Sequence, residues 1–258
     1  MKRGFVRALW GVYINDIYNF HRQKIDGEIE FAKHCRYLEP FTTYVFGKDN
    51  YEHLKSCNVE QNIVKLASNE PILWDMETQC YRHKLEAFKL GMQDFDEIVF
   101  LDWDTVPTKP LPPDFWEVLS KKDPIQAALI QYKIKSKSSP YWRKVNRSWA
   151  SGAAWLYIRD KTIPDKIIKV WEDLGKGWSE ELAITKYIDE SMGGWKGLEE
   201  YQKRFEPDCF YHPRPHKSRP IHSPDFIAAK KPCFWHMGMD RRKMNRYLSN
   251  AKNIEWLK

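Results

Sequence analysis

The apolar positions of this chain form short runs and helical stripes that alternate along the sequence. Phe5 to Ile14 is a mostly apolar run that stops at Asn15-Asp16 and reads as a first strand. Ile17 to Cys35 carries mixed helical spacing. Thr42 to Phe46 is β-branched and aromatic and ends at Gly47-Lys48-Asp49-Asn50, which reads as a second strand and a turn. Ile63 to Leu66 and Ile72 to Trp74 are shorter strand candidates. In Glu77 to Met92, Tyr81, Leu85, Phe88 and Met92 recur at a spacing of three to four, which predicts a helix with Gly91 near its end. Ile98 to Leu101 is continuously apolar and predicts a buried central strand. Ala127 to Tyr132 and Ala153 to Ile158 predict further strands, and Ile163 to Leu174 and Glu180 to Ile188 predict helices. Glu206 to Pro232 is rich in Pro and His and is expected to be irregular, with Phe226-Ile227-Ala228 pairing locally at most. Strands alternating with helices predict an α/β fold with a mostly parallel central sheet flanked by helices.

Bulk composition narrows this picture only slightly. No Ser/Gly linker, low-complexity stretch or internal repeat divides the 258 residues, so one domain is expected. The formal net charge of +7 suits an anionic ligand, though it serves solubility equally well. Cys35, Cys57, Cys80, Cys209 and Cys233 are scattered and odd in number, which points to free thiols in a reducing compartment. Arg7 and Asn15-Asp16 interrupt what would be the apolar stretch of a signal peptide, and no run reaches the length of a membrane span. A soluble cytoplasmic protein is the expectation.

The chemistry concentrates after the central strand, in Phe100-Leu101-Asp102-Trp103-Asp104-Thr105. Residues two apart in extended chain share a face, so Asp102 and Asp104 point the same way. Paired carboxylates repel unless a positive group lies between them, and a hard divalent cation carrying phosphate oxygens meets that need. On this reading, neutralising either aspartate is expected to abolish activity and to relieve repulsion in the metal-free protein. The plain alternative is a pair of turn caps before Pro107, where Thr105-Val106-Pro107 and the prolines beyond break the chain. Ligands of open α/β sheets bind at the carboxyl ends of strands, where this pair lies.

The unit from Lys84-Leu85-Glu86-Ala87-Phe88 through Ile98 to Val106 resembles nucleotide-sugar glycosyltransferases of the GT-A fold, most of all the glycogenin and bacterial galactosyltransferase group. Three later segments follow in the order that group shows. Trp149-Ala150-Ser151-Gly152 resembles its Asn-Ser-Gly strand entry, Ser179-Glu180-Glu181 its acidic helix opening, and Trp235-His236-Met237-Gly238 its late His–Gly loop. This chain departs from the group in having Ala150 for Asn, Glu180-Glu181 for Asp-Gln, a His-to-Gly gap one residue shorter, and Arg241-Arg242-Lys243 for Lys-Pro-Trp.

The resemblance implies a metal-dependent enzyme that moves a sugar from a nucleoside diphosphate sugar, with UDP expected, to a hydroxyl of a glycan. It implies Asp102, Asp104 and His236 as ligands of Mn²⁺ or Mg²⁺. It places Asn15, Asp16, Lys84, Trp103, Ser151, Gly152, Gly238, Arg241 and Arg242 around the donor, and Glu180 or Glu181 at the reacting centre. Residues 1–110 would form the nucleotide-binding half and 111–258 the acceptor half. For each residue a plainer role stands beside this one. Lys84 is then a snorkelling surface lysine, His236 a core histidine beside Trp235, Arg241-Arg242-Lys243 a solvated basic run, and Glu180 and Glu181 favourable charges at a helix start. Two other functions compete. A nucleotidyl or phosphoryl transferase also uses strand-end carboxylates, but no Gly-rich phosphate loop precedes Asp102. A basic nucleic-acid-binding module gives no reason for buried paired aspartates, so no nucleic-acid partner is expected.

Overall fold

The computed structural model describes residues 1–10, 40–56, 62–69, 82–102, 105–107, 110–121, 123–131, 149–175, 180–191, 210–211 and 234–236. In chain order the elements are β1 (Arg3–Leu9), β2 (Phe41–Phe46), α1 (Lys48–Ser56), β3 (Asn62–Ser68), α2 (Arg82–Asp94), β4 (Glu97–Leu101), β5 (Thr105–Pro107), α3 (Phe115–Ser120), β6 (Ile125–Gln131), β7 (Trp149–Ile158), α4 (Ile163–Leu174), α5 (Glu180–Ser191), β8 (Phe210–Tyr211) and β9 (Phe234–His236). The predicted segments Ile17 to Cys35, Ile72 to Trp74 and Phe226 to Ala228 lie outside the described residues, as do the five cysteines.

Six strands form one sheet in the order β3-β2-β1-β4-β7-β6. β1 pairs in parallel with β2 and β4, and β2 with β3; β7 runs antiparallel to both β4 and β6. Five strands therefore share one direction and β7 alone opposes them, as a mostly parallel α/β sheet requires. A second sheet, β5-β9-β8, is small.

Alternation along each strand sorts the two faces of the large sheet. Val6, Ala8, Tyr44, Phe46, Ile98, Phe100, Leu156 and Ile158 bury against Leu85, Phe88 and Met92 of α2, Ile167 and Trp171 of α4, and Ile184 and Ile188 of α5. Gly91 lets α2 approach closely: a Cβ there would lie 3.1 Å from a Val6 methyl and 3.2 Å from that of Ile98. On the other face, Phe5 meets Phe115 and Trp116 of α3 and Phe234 of β9, with ring centroids 6.1, 5.2 and 6.1 Å away. The small sheet and α3 therefore cover the face that α2, α4 and α5 leave open.

Several expectations need correcting. Thr105-Val106-Pro107 does not simply break the chain but forms β5, paired antiparallel with β9. Gly47, at φ 107°, makes the expected turn, but Lys48-Asp49-Asn50 then opens helix α1. The stretch expected to be irregular contains β8, and α3 was not foreseen. These elements are short or carry few apolar residues, so tertiary pairing decides them rather than periodicity.

At the far end of α2, Asp94 takes hydrogen bonds from the Tyr44 hydroxyl and from Lys65 Nζ, the latter at 2.6 Å, tying the helix to β2 and β3. Partial burial pushes the Asp94 carboxyl up, but the bonds from Lys65 and Tyr44 outweigh it and hold it below the usual carboxylate range. A depressed carboxyl adds stability above its unfolded pKa and loses it as pH falls through the folded value. Asp94→Asn is therefore expected to cost about 1 kcal/mol or less at pH 7, because solvent screens this partly exposed pair, and much less near pH 3. Urea unfolding at the two pH values measures this, and equal losses at both would refute the assignment.

Candidate active site

Asp102 directly follows β4, on the face where Ile98 and Phe100 pack against the helices. The first turns of α2 and α5 arrive at the same place, carrying Lys84 and Glu180. Lys84 Nζ lies 2.7 Å from Asp102 Oδ2 and 2.8 Å from Glu180 Oε1. All three residues are buried. The three residue types were candidates in the sequence, but the bridge between them was not legible there, because its contacts span 18 and 96 residues.

This arrangement changes what was expected of Lys84. It is 5% exposed, so the reading as a snorkelling surface lysine is wrong. Burial pulls its pKa down, but the facing Asp102 and Glu180 carboxylates more than offset this and hold it well above the usual lysine value. The ammonium therefore stays charged across the neutral range. It also supplies the positive group that Asp102 needs in the metal-free chain.

Counting Lys84, Asp102 and Glu180 alone, one ammonium faces two carboxylates, a formal charge of −1 with both ionised. Glu180 Oε2 is buried and has no hydrogen-bond partner among the described residues. A buried acceptor left this way is costly, and each one in a native fold calls for an explanation. A cation or a hydroxyl donor entering the site would satisfy it. Of the two candidate carboxylates on α5, Glu180 is the one that meets Lys84; Glu181 is half-buried, and its backbone carbonyl accepts from Thr185 Oγ1 at 2.7 Å.

Backbone register brings other candidates to this end of the sheet. The Thr105 N–H donates to the Asp102 carbonyl at 2.9 Å, and Thr105 is the strand partner of His236. His236 thus ends β9 alongside the segment that carries Asp102. Trp155 of β7 pairs with Leu101, so Ser151 and Gly152, in the antiparallel strand, extend past the carboxyl end of β4. Asn15, Asp16, Trp103, Asp104, Gly238, Arg241 and Arg242 lie outside the described residues. Among the described residues, no group of three or more His, Cys, Asp or Glu side chains is gathered to hold a metal ion. No helix among them is long and apolar enough to cross a membrane.

Sequence reasoning overlooked His83. It is 2% exposed, stacked on Trp10 with centroids 5.6 Å apart and set edge-on to Phe46 at 4.8 Å. These contacts seat the first turn of α2 on the ends of β1 and β2 and so help to aim the neighbouring Lys84.

No protein-family model matches this chain, and neither does any curated protein. Similar solved structures include apo WbbM, a bifunctional glycosyltransferase, the galactosyltransferase LgtC in complex with donor and acceptor sugar analogues, and apo mouse xyloside xylosyltransferase 1. Each aligns with a TM-score of 0.49, at 10%, 10% and 8% identity respectively. The alignments cover 93%, 97% and 92% of this chain. The chain spans 46% of the length of WbbM, 96% of LgtC and 98% of the xylosyltransferase.

Proposed function

We propose that this chain is a metal-dependent glycosyltransferase of the GT-A type, moving a sugar from a UDP-sugar to a hydroxyl of a glycan. One observation carries the reading: a buried Lys84–Asp102–Glu180 cluster at the carboxyl end of a central strand, with Glu180 Oε2 unpartnered among the described residues. The order of the four motif segments in the sequence supports it.

The donor set suits a divalent ion. Asp102 offers hard oxygen, and Asp104 and His236 are the further ligands that the motif resemblance proposes. When bound, Mn²⁺ or Mg²⁺ would neutralise the departing diphosphate as a Lewis acid. The chain's own groups have separate tasks. Lys84 holds Asp102 and Glu180 in fixed positions and adds positive charge beside the diphosphate site. Glu180, with Oε1 held by that ammonium, presents Oε2 to accept a hydrogen bond from a hydroxyl of the donor or acceptor sugar. This is an orienting role, so Glu180 aligns the reacting groups instead of serving as general base. Ser151, Gly152, Gly238, Arg241, Arg242, Asn15, Asp16 and Trp103 remain proposed donor contacts.

The competing functions fit less well. A two-metal nucleotidyl transferase wants a third carboxylate and a Gly-rich phosphate loop beside the Asp102-Asp104 pair, and no such loop precedes Asp102 in the sequence. A nucleic-acid module has no use for a buried anionic cluster.

Thermal shift with UDP, other nucleoside diphosphates and a single-stranded oligonucleotide, each with and without Mn²⁺, tests the proposal. UDP and Mn²⁺ together should stabilise the protein more than the sum of their separate effects. Stabilisation by the oligonucleotide alone would refute it. UDP-sugar turnover that persists in excess chelator would refute the metal requirement.

A further inference from the structure

Arg7 lies in the middle of β1, on the face opposite α2, α4 and α5, between Phe5 and Leu9. It is among the largest fully buried side chains in the protein, at 0% exposure. Burying a cation costs several kcal/mol before its contacts repay it. An apolar side chain would fill this position as well, as Phe5 and Leu9 do on either side, so packing alone does not account for a guanidinium here.

The charge has a specific target. Arg7 Nη1 donates to the Thr105 carbonyl at 3.4 Å, and the guanidinium carbon lies 5.9 Å from the centre of the Phe41 ring. Thr105 is itself fully buried. Its N–H donates to the Asp102 carbonyl at 2.9 Å, and its strand partner is His236. Thr105 thus ties the end of β4 to β5 and, by strand pairing, to the end of β9, and Arg7 reaches it from β1.

We infer that Arg7 is a positioning residue that fixes Thr105 against the Asp102 carbonyl, and with it the β5–β9 pair, so that the Asp102 and His236 backbones are held side by side for a common ligand. The metal-binding consequence rests on the function proposed above; the anchoring of Thr105 does not. Arg7 touches no reacting group and acts through the Thr105 backbone.

Two variants test this in the full chain. Arg7→Met removes the donors and the charge but keeps an unbranched apolar stem, and Arg7→Lys keeps the charge. Hydrogen–deuterium exchange of the metal-free protein is followed at Thr105–Val106 and Phe234–His236, with β2 and α4 as internal references. In Arg7→Met, exchange in the first two segments should quicken about tenfold with the references unchanged. Free-Mn²⁺ electron paramagnetic resonance should show affinity falling about tenfold or more in Arg7→Met and largely restored in Arg7→Lys. Unchanged exchange at both segments, or equal acceleration everywhere, overturns the inference, the second result marking Arg7 as ordinary core. If wild type binds no Mn²⁺, the metal reading falls, and the exchange comparison still decides the anchoring. Should Arg7→Met fail to fold, Arg7→Gln carries the same comparison, judged by the same exchange outcomes.

Discussion

Lys84→Met is expected to lower the melting temperature of the metal-free protein sharply and to enlarge the stabilisation that Mn²⁺ confers. The substitution leaves Asp102 and Glu180 buried without their ammonium. Removing one partner of a buried ion pair costs about 3–5 kcal/mol, because the surviving charge stays desolvated and unpaired. For a chain of this size that is roughly 6–20 °C. The orphaned carboxylates then favour any cation that can reach them, so the Mn²⁺-induced shift should exceed that of wild type. Transfer activity should nevertheless fall, since Glu180 loses the group that holds it in place. Adding Glu180→Gln to Lys84→Met removes one of the two orphaned charges and should recover part of the lost stability. Thermal melts with and without Mn²⁺ read all of this. A Lys84→Met protein that melts with wild type and responds equally to Mn²⁺ would show that the bridge contributes neither stability nor competition.

The second large effect belongs to Asp102. Asp102→Asn should lower transfer by about two to three orders of magnitude, since it removes the hard, charged oxygen proposed to hold the metal at the diphosphate. Read from the sequence, this change should also have relieved repulsion and stabilised the metal-free chain. The structure reverses that part. Lys84 already faces the Asp102 carboxylate, so the variant exchanges a buried ion pair for a weaker ammonium-to-amide hydrogen bond. A loss of about 1–3 kcal/mol is expected instead. Steady-state transfer and urea unfolding on one preparation separate the two effects. Full activity in Asp102→Asn would sink the metal assignment, and a rise in metal-free stability would show that the Lys84 contact is not formed in solution.

The alternating pattern alone determined the α/β class, the central strand Ile98 to Leu101 and the helix spacing of Leu85, Phe88 and Met92. Those features are local, because a buried strand or an amphipathic helix writes its period directly into neighbouring residues. Asp102 was legible for the same reason, as the first charge after a fully apolar run. Lys84 and Glu180 could be named as candidates only through motif resemblance, and their roles could not be read. Whether a lysine snorkels or bridges two carboxylates depends on how two helices are brought together so that Lys84 meets Glu180, 96 residues on, and no periodicity records that. Arg7 shows the limit most clearly. In the sequence it merely interrupts an apolar run, although its place between Phe5 and Leu9 already put it on a buried strand face. The tertiary structure alone supplied the acceptor that gives that position a purpose, because β5 and β9 are three-residue strands that exist only through pairing across the chain. Composition and period settle which segments are buried; long-range packing settles which charges meet.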